Sequence, residues 1–334
     1  MKAVLSLACV LVFFSCAPVP RTHTEFLLGT VCSITLYGNV SPEIVSNVFD
    51  RIREIEQRMS VNIPESDIAR LNAAAGTRAV SVSRETLEVV EAGLEFSRAS
   101  GGAFNIAVGP LVKLWGIGTG SAAVPPQSAI DAALGRIDFR KVVADNSGET
   151  LFLGEEGMAL DLGAIAKGYA ADQAAEVLRG AGVGRAIIDL GGNILVLGTR
   201  PGGEPWRVGV QNPLLERGQF LGIIAASDTS IVSSGAYERF FTAPDGERYH
   251  HILDTATGRP VSNGLYQVTV MAKSSRDADA LSTLLFALGL DAGLQFAEKT
   301  PGVEALFVTG DRELYATPGM RNAFRLTDED FHFP

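Results

Sequence analysis

One stretch constrains this chain more than any other: Ala159–Leu160–Asp161–Leu162–Gly163–Ala164–Ile165–Ala166–Lys167–Gly168–Tyr169–Ala170–Ala171–Asp172. It alternates like a half-buried strand up to Leu162, then turns at Gly163 into helical spacing. The predicted helix runs from Gly163 to Arg179, with Ala166, Ala170, Ala174, Val177 and Leu178 turned inward. Gly180 and Gly182 end it. Asp161 and Lys167 then lie six residues apart, both near the helix N-terminus. Unpaired N–H groups and the positive end of the helix dipole suit that terminus to anions, phosphate above all. A lysine at that pole opposes the dipole unless something negative is bound beside it. The stretch predicts an anion site at a strand-to-helix corner.

The remaining elements fall around this corner. Glu25 to Tyr37 reads as strand, turn, strand about Gly29–Thr30. Pro42 to Met59 has Ile44, Val48, Ile52, Ile55 and Met59 on one helical face. The link Ser60–Val61–Asn62–Ile63–Pro64 leads to a short helix ending near Leu71–Asn72. Ser83 is placed as the N-cap of a helix from Arg84 to Ser100, stopped by Gly101–Gly102. Helices through Leu111–Trp115 and from Pro125–Pro126 to about Leu134 follow, then short strands near Lys141–Val143 and Leu151–Leu153. Arg185–Leu190 and Ile194–Leu197 form a hairpin across Gly191–Gly192–Asn193. Strand follows strand from there to Ala272, a helix covers Arg276 to Leu288, and Val303 to Tyr315 supplies two closing strands. The class is α+β with a mostly antiparallel sheet.

Two global features narrow the partners. The net charge of −10 speaks against a nucleic-acid backbone but leaves room for a small anion held by local donors. Lys2 is followed by the apolar run Ala3 to Phe14 and then Ser15–Cys16. That run is too short to anchor in a bilayer and suits a signal peptide. A small residue before Cys16 resembles the lipobox of bacterial lipoproteins, although Phe13 and Phe14 are bulkier than that pattern. The expected layout is a signal peptide over residues 1–15, a lipidated tether over 16–24 and one domain over 25–334. Cys9 and Cys16 are spoken for, so Cys32 is left as a buried inert thiol, without a disulfide or a cysteine metal site.

Candidate chemistry gathers in three further segments. On the helix from Arg276, Asp279 and Thr283 are four residues apart and share a face, with Ser282 beside them. Such a carboxylate and hydroxyl offer oxygen ligands to a hard cation; they read equally as a capping acid and a threonine bonded back to a carbonyl. His250 and His251 sit on a strand, so they face opposite sides and do not share a metal. Ser233 to Arg239 reads as a turn or an anion contact after a strand. The chain lacks G-x-x-x-x-G-K-[ST], a post-strand G-x-G-x-x-G, H-E-x-x-H, C-x-x-C and G-x-S-x-G. The common ATPase, dehydrogenase, zinc protease and serine hydrolase readings fall away.

Six blocks in order carry a resemblance. They are Ala103–Phe104–Asn105 with Val108 to Gly116, Asp161 to Tyr169, Asp189–Leu190–Gly191–Gly192–Asn193, Ser234 to Arg239, His251 to Gly258, and Ala278 to Thr283. Together they are similar to the ApbE-type FAD:protein FMN transferases, over residues 26 to about 310. The resemblance implies an ApbE-like (T-fold-like) fold with an FAD cleft between two halves. It implies transfer of FMN from FAD to a Thr or Ser hydroxyl of a target protein, with Mg²⁺ as cofactor and AMP released. Phosphoryl transfer asks mainly for positioning and charge neutralisation. Carried over by position, Asp279 and Thr283 are metal ligands with the Ala164 carbonyl, and Ser282 lies close by. Leu28, Asn62, Ala103, Phe104, Asn105, Asp161, Lys167 and Ile252 contact FAD, and His251 is the candidate base or a polar contact for the incoming hydroxyl. The implied acceptor is a flavoprotein subunit of a membrane redox complex, and the implied location is periplasmic, lipid-anchored to the inner membrane.

Two positions depart from the family pattern. Asn105 stands where Asp is common, and Asn62 stands where many members carry Tyr. The Asn62 form resembles the spirochaete branch, associated with Mg²⁺-dependent hydrolysis of FAD to FMN and AMP. A flavin-binding or scavenging lipoprotein without catalysis, and a metal-dependent phosphoesterase for other nucleotides, compete with the transferase reading.

Overall fold

Alternating apolar residues assemble half of the strands into one sheet covered on both faces. The computed structural model describes residues 20–244 and 246–334, so the signal peptide and Cys16 lie outside the described residues. In chain order the elements are β1 (Arg21–Leu27), β2 (Thr30–Leu36), α1 (Pro42–Met59), α2 (Asp67–Ala73), β3 (Val80–Ser81), α3 (Arg84–Ala99), α4 (Gly109–Trp115), α5 (Gln127–Leu134), β4 (Val142–Asp145), β5 (Thr150–Leu153), α6 (Ala166–Gly180), β6 (Ala186–Leu190), β7 (Asn193–Leu197), β8 (Trp206–Gln211), β9 (Phe220–Ala226), β10 (Thr229–Gly235), β11 (Phe240–Thr242), β12 (Arg248–His250), β13 (Leu265–Ala272), α7 (Ser275–Leu288), α8 (Leu290–Lys299), β14 (Glu304–Thr309), β15 (Leu314–Ala316), α9 (Pro318–Ala323) and β16 (Phe324–Leu326).

The main sheet has eight strands in the order β1-β2-β6-β7-β10-β13-β14-β15, every neighbour antiparallel. The period of two divides its residues between two cores. Leu195, Leu197, Val232, Ala305 and Phe307 face the helices α1, α6 and α7. Their neighbours Val196, Ile231, Leu306 and Val308 face a three-stranded sheet, β16-β9-β8, through Trp206, Val208, Val210 and Ile224. With both faces covered, β13 and β14 read as near-continuous apolar runs. A third cluster, built on Leu111, Trp115, Ile130 and Leu253, holds α4 and α5 as a lobe.

Local chemistry explains most boundaries. Ser41 accepts from the Ile44 N–H to start α1, and Val48, Phe49, Ile52, Ile55 and Met59 are its buried stripe. Ser83 caps α3 through the Thr86 N–H, as expected from the sequence. Several expectations shift. β1 begins at Arg21, inside the stretch read as tether, because residues 21–24 pair with 33–36 of β2. The β1–β2 turn falls on Leu28–Gly29, both with φ above zero, so Thr30 opens β2. Ser233 to Gly235 belong to β10 rather than to a turn after it. The strand read over Tyr249 to Leu253 stops at His250. Cys32 is buried as expected, and its surroundings push the thiol up to about 11.

Candidate active site

The corner from Ala159 to Gly168 does not lie in any sheet. Asn72 clamps Leu160 from both sides, its Oδ1 accepting from the Leu160 N–H at 2.7 Å and its Nδ2 donating to the Leu160 carbonyl at 2.9 Å. The Asp161 N–H donates to the Ile106 carbonyl at 2.9 Å. The strand-like alternation is thus real, but a side-chain amide and one isolated bridge to Val108 stand in for strand neighbours. The helix starts at Ala166, later than Gly163, because Asp161 Oδ1 takes the Gly163 N–H at 2.8 Å and holds an irregular turn there.

Lys167 therefore sits at the second position of α6, and it pairs with Asp279. Its Nζ lies 3.0 Å from Asp279 Oδ1, 3.2 Å from Asp279 Oδ2 and 3.0 Å from the Gly163 carbonyl. Asp279 is buried. The anion that the helix terminus calls for is, in part, this carboxylate from α7. Gly168 completes the contact. Its N–H would close a helical turn on the Ala164 carbonyl four residues back, but it donates to Asp279 Oδ2 at 2.9 Å. Among the described residues no other backbone N–H bonds that carbonyl.

The two helices cap each other. Asp279 of α7 serves the N-terminus of α6, and Asp172 of α6 accepts from the Ser275 and Arg276 N–H groups at the start of α7, each at 2.9 Å. Gly168 permits the approach, since a Cβ there would lie 2.1 Å from the Ser275 carbonyl oxygen. Asp172 is a functional support that sequence reading missed; only its position after a helical turn hinted at it.

One turn along α7, Thr283 Oγ1 lies 3.2 Å from Ser234 Oγ, and Ser282 Oγ lies 2.8 Å from the same atom. Ser282 is fully buried and also donates to the Asp279 carbonyl at 2.9 Å. It backs the site without lining the cleft. Ser234, to which sequence reading assigned no role, joins β10 to both hydroxyls.

A cleft of about 2560 Å³ opens over this corner, lined by Leu28, Asn62, Ala103, Phe104, Asn105, Asp161, Ala164, Lys167, His251, Ile252, Asp279 and Thr283. Every site residue expected from the sequence within the described chain reaches it except Ser282. The Leu28 N–H is held by Glu56 Oε1 at 2.8 Å, which locks the β1–β2 turn at the rim. Asn105 spends its side chain on the wall, donating to the Ile137 carbonyl at 2.6 Å and accepting from the Ala107 N–H at 2.8 Å. An Asp could not make the first bond, so Asn here serves the lobe. Asn62 is exposed on the cleft and presents no ring to stack on.

The two histidines separate as expected, and His250 is buried. It donates through Nε2 to the Val261 carbonyl at 2.8 Å, and Nδ1 accepts from the Ile252 N–H at 3.3 Å, so both nitrogens are used. His251 Nδ1 donates to the Arg239 carbonyl at 3.3 Å, which leaves Nε2 as an acceptor. Burial first, then the Arg239 charge, lowers its pKa to about 3, so the ring is neutral near pH 7. Burial pushes the Asp161 carboxyl up, and the Gly163 N–H and Lys167 oppose that.

Among the described residues no three His, Cys, Asp or Glu side chains form a metal cluster. Carboxylate, hydroxyl and a helix-freed carbonyl are instead three hard oxygens, the donor type that suits Mg²⁺.

A sheet sandwiched between helices and a second sheet, with a cation–carboxylate pair at the floor of an oversized cleft, defines an α+β protein built for a large anionic ligand. The ApbE family profile matches residues 28–307. The FAD:protein FMN transferase of Treponema pallidum is 39% identical, covering 93% of this chain and 90% of the relative. That of Klebsiella pneumoniae is 37% identical, covering 93% and 96%. The crystal structure of the ApbE protein from Thermotoga maritima superposes with a TM-score of 0.83 at 30% identity, over 92% of this chain and all (100%) of that one. The flavin transferase ApbE from Vibrio cholerae gives 0.81 at 28% identity, over 91% and 100%. The chain belongs to the ApbE family.

Proposed function

We propose that this protein transfers FMN from FAD to a Thr or Ser hydroxyl of a target protein. The observation that carries the reading is the convergence of Asp279, Thr283, Lys167 and the freed Ala164 carbonyl beneath a cleft large enough for a dinucleotide. The relatives that cover most of the chain bear the same activity in their names. The acceptor oxygen bonds to the FMN phosphorus, the bridging P–O bond of the pyrophosphate breaks, and AMP leaves. His251 Nε2, the ring atom left without a partner, accepts the hydrogen bond of the incoming hydroxyl and orients its oxygen, and the proton passes to solvent as the new P–O bond forms.

Asp279, Thr283 and the Ala164 carbonyl would hold Mg²⁺, with Ser282 fixing the α7 turn behind them. When bound, that ion neutralises charge on the pyrophosphate. Lys167 is placed to share its ammonium between Asp279 and the substrate's phosphate. Leu28, Asn62, Ala103 to Asn105, Asp161 and Ile252 shape the walls around FAD. Incubation with FAD and Mg²⁺, with and without a Thr-containing acceptor protein, tests the reading. AMP together with a fluorescent protein band is expected; FAD left intact in both arms overturns it.

Water takes the place of the acceptor hydroxyl in a second activity, hydrolysis of FAD to FMN and AMP. Asn62 favours it, because the exposed amide leaves that part of the cleft open to solvent. Asn62→Tyr is expected to lower FMN release several-fold at saturating FAD; an unchanged rate would remove the role given to Asn62. The N-terminal run supports a lipoprotein leader, with Cys16 as the lipidated residue and the domain held at the periplasmic face of the inner membrane. The acceptor then belongs to a membrane redox complex. Cys16→Ser should move the protein from the detergent phase to the aqueous phase.

A further inference from the structure

Part of the cleft is not needed for the chemistry just described. Its volume of about 2560 Å³ exceeds the roughly 300–1,000 Å³ of ordinary small-molecule sites. The β8–β9 hairpin lines one side of it. Among the described residues β8 has one strand neighbour, β9, so its other edge carries backbone N–H and C=O groups without a strand partner. Trp206, Val208 and Val210 point into the core beneath. By the period of two, Arg207, Gly209 and Gln211 face the cleft.

This wall is apolar where a soluble surface would be polar. The Phe220 ring lies across Gly209, where a Cβ would meet it at 2.6 Å, and Phe220 is 51% exposed. Leu214 and Leu215, on the loop that follows, are 42% and 48% exposed. Gln211 holds that loop in place: its Nε2 donates to the Asn212 carbonyl at 2.7 Å and the Glu216 carbonyl at 3.1 Å, and its Oε1 accepts from the Gly218 N–H at 2.9 Å. The three exposed side chains therefore sit on a braced hairpin.

The wall carries two arginines against one exposed carboxylate, Glu216, in a chain of net charge −10. Arg207 and Arg217 line the cleft with no hydrogen bond or ion pair to another side chain among the described residues. Arg207 and Arg217 line the same cleft as Glu238, Lys167 and Asp279. The wall is thus continuous with the reactive corner.

We infer that the β8–β9 hairpin is the docking surface for the acceptor protein. The occupant is an extended, hydroxyl-bearing segment that adds to the free edge of β8. Its apolar side chains rest on Phe220, Leu214 and Leu215, and its acidic side chains meet Arg207 and Arg217. Extended backbone alternates its side chains, so a segment paired this way can send its Thr or Ser toward the floor while a neighbour faces the wall. The inference rests on the transferase reading and adds what selects the acceptor.

A set of 12-residue peptides with one central Thr tests it, flanked by Asp and Leu, by Lys and Leu, or by Ser alone. FMN attachment and AMP release are followed for the wild type, for Leu215→Ser/Phe220→Ser and for Arg207→Gln/Arg217→Gln. The Asp–Leu peptide is expected to be labelled at least tenfold faster than the others. The first double variant should lose the Leu preference and the second the Asp preference, each by about tenfold. AMP release without peptide should stay at the wild-type rate in both, which also reports that the variants are folded. Equal labelling of all peptides overturns the docking surface, whereas AMP release with no peptide labelled is the outcome of hydrolysis alone and strikes the transferase reading. A parallel fall of AMP release and labelling in the variants also overturns the docking surface, since the hairpin would then hold FAD. Absence of AMP from the wild type would instead strike the transferase reading.

Discussion

At the scale of single residues, the site depends on oxygens whose ordinary partners have been taken away. Asp279 is legible as a candidate because Thr283 follows it four residues on. The Ala164 carbonyl is not legible from residue types, since a backbone oxygen has no letter of its own. It becomes available only when Gly168 gives its N–H to Asp279. Asp279→Ala removes the carboxylate from the proposed metal set and one cap from α6. FAD turnover, read as AMP release, is expected to fall by more than a hundredfold, while FAD binding, read by fluorescence quenching, should persist. His251 yields a pH prediction. Its folded-state pKa of about 3 lies below the ordinary 6.5, so between those values the unfolded chain binds the proton and the native chain does not. Stability contributed by the neutral ring is present above pH 6.5 and falls as pH drops toward 3. The urea midpoint of the wild type should therefore decline between pH 7 and pH 4.5 more than that of His251→Gln. Equal declines would show that the ring is not held neutral.

At the scale of elements, periodicity served best where one helix carries its own caps. α1 and α7 match their predicted spans to within one residue, and α3 ends at Ala99 where Ser100 was read. The start of α6 was misread for a physical reason: Asp161 holds the Gly163 N–H in a turn before the helix, and the Gly168 N–H is served by Asp279, more than a hundred residues away, so no local cap marks the boundary. The helices α8 and α9 and the strand β16 went unread as well. Gly289 opens α8 without a side-chain cap, and α9 and β16 are too short to show a period. The α6–α7 crossing gives the sharpest test at this scale. Gly168→Ala places a methyl where 2.1 Å separates it from the Ser275 carbonyl oxygen. Overpacking of this kind costs about 1–3 kcal/mol or more. A clear loss of thermal stability with AMP release reduced at least tenfold is expected; a variant with wild-type melting would mean that the helices do not meet so closely.

At the scale of the whole molecule, the main sheet is the shared wall of two cores, and the α4–α5 lobe hangs beside them on its own cluster. Trp115 ties that lobe in, fully buried and donating to the Gly258 carbonyl at 2.7 Å. Trp115→Ala should cost about 3–5 kcal/mol, and hydrogen exchange should speed up in residues 109–134 before the strands β10 and β13 respond. Uniform acceleration everywhere would make the lobe part of one cooperative unit. The sequence alone determined the α+β class, because period and turn chemistry are local, and it named the site residues from Leu28 to Thr283 that reach the cleft, most of them through blocks of neighbouring letters that carry the family resemblance. Tertiary structure alone decided the rest: Lys167 meeting Asp279, Asp172 returning the cap, Ser234 joining Ser282 and Thr283, and the apolar, arginine-bearing hairpin on the cleft wall. Those contacts span tens to more than a hundred residues. Their geometry is set by helix crossing and strand order, which no local pattern encodes.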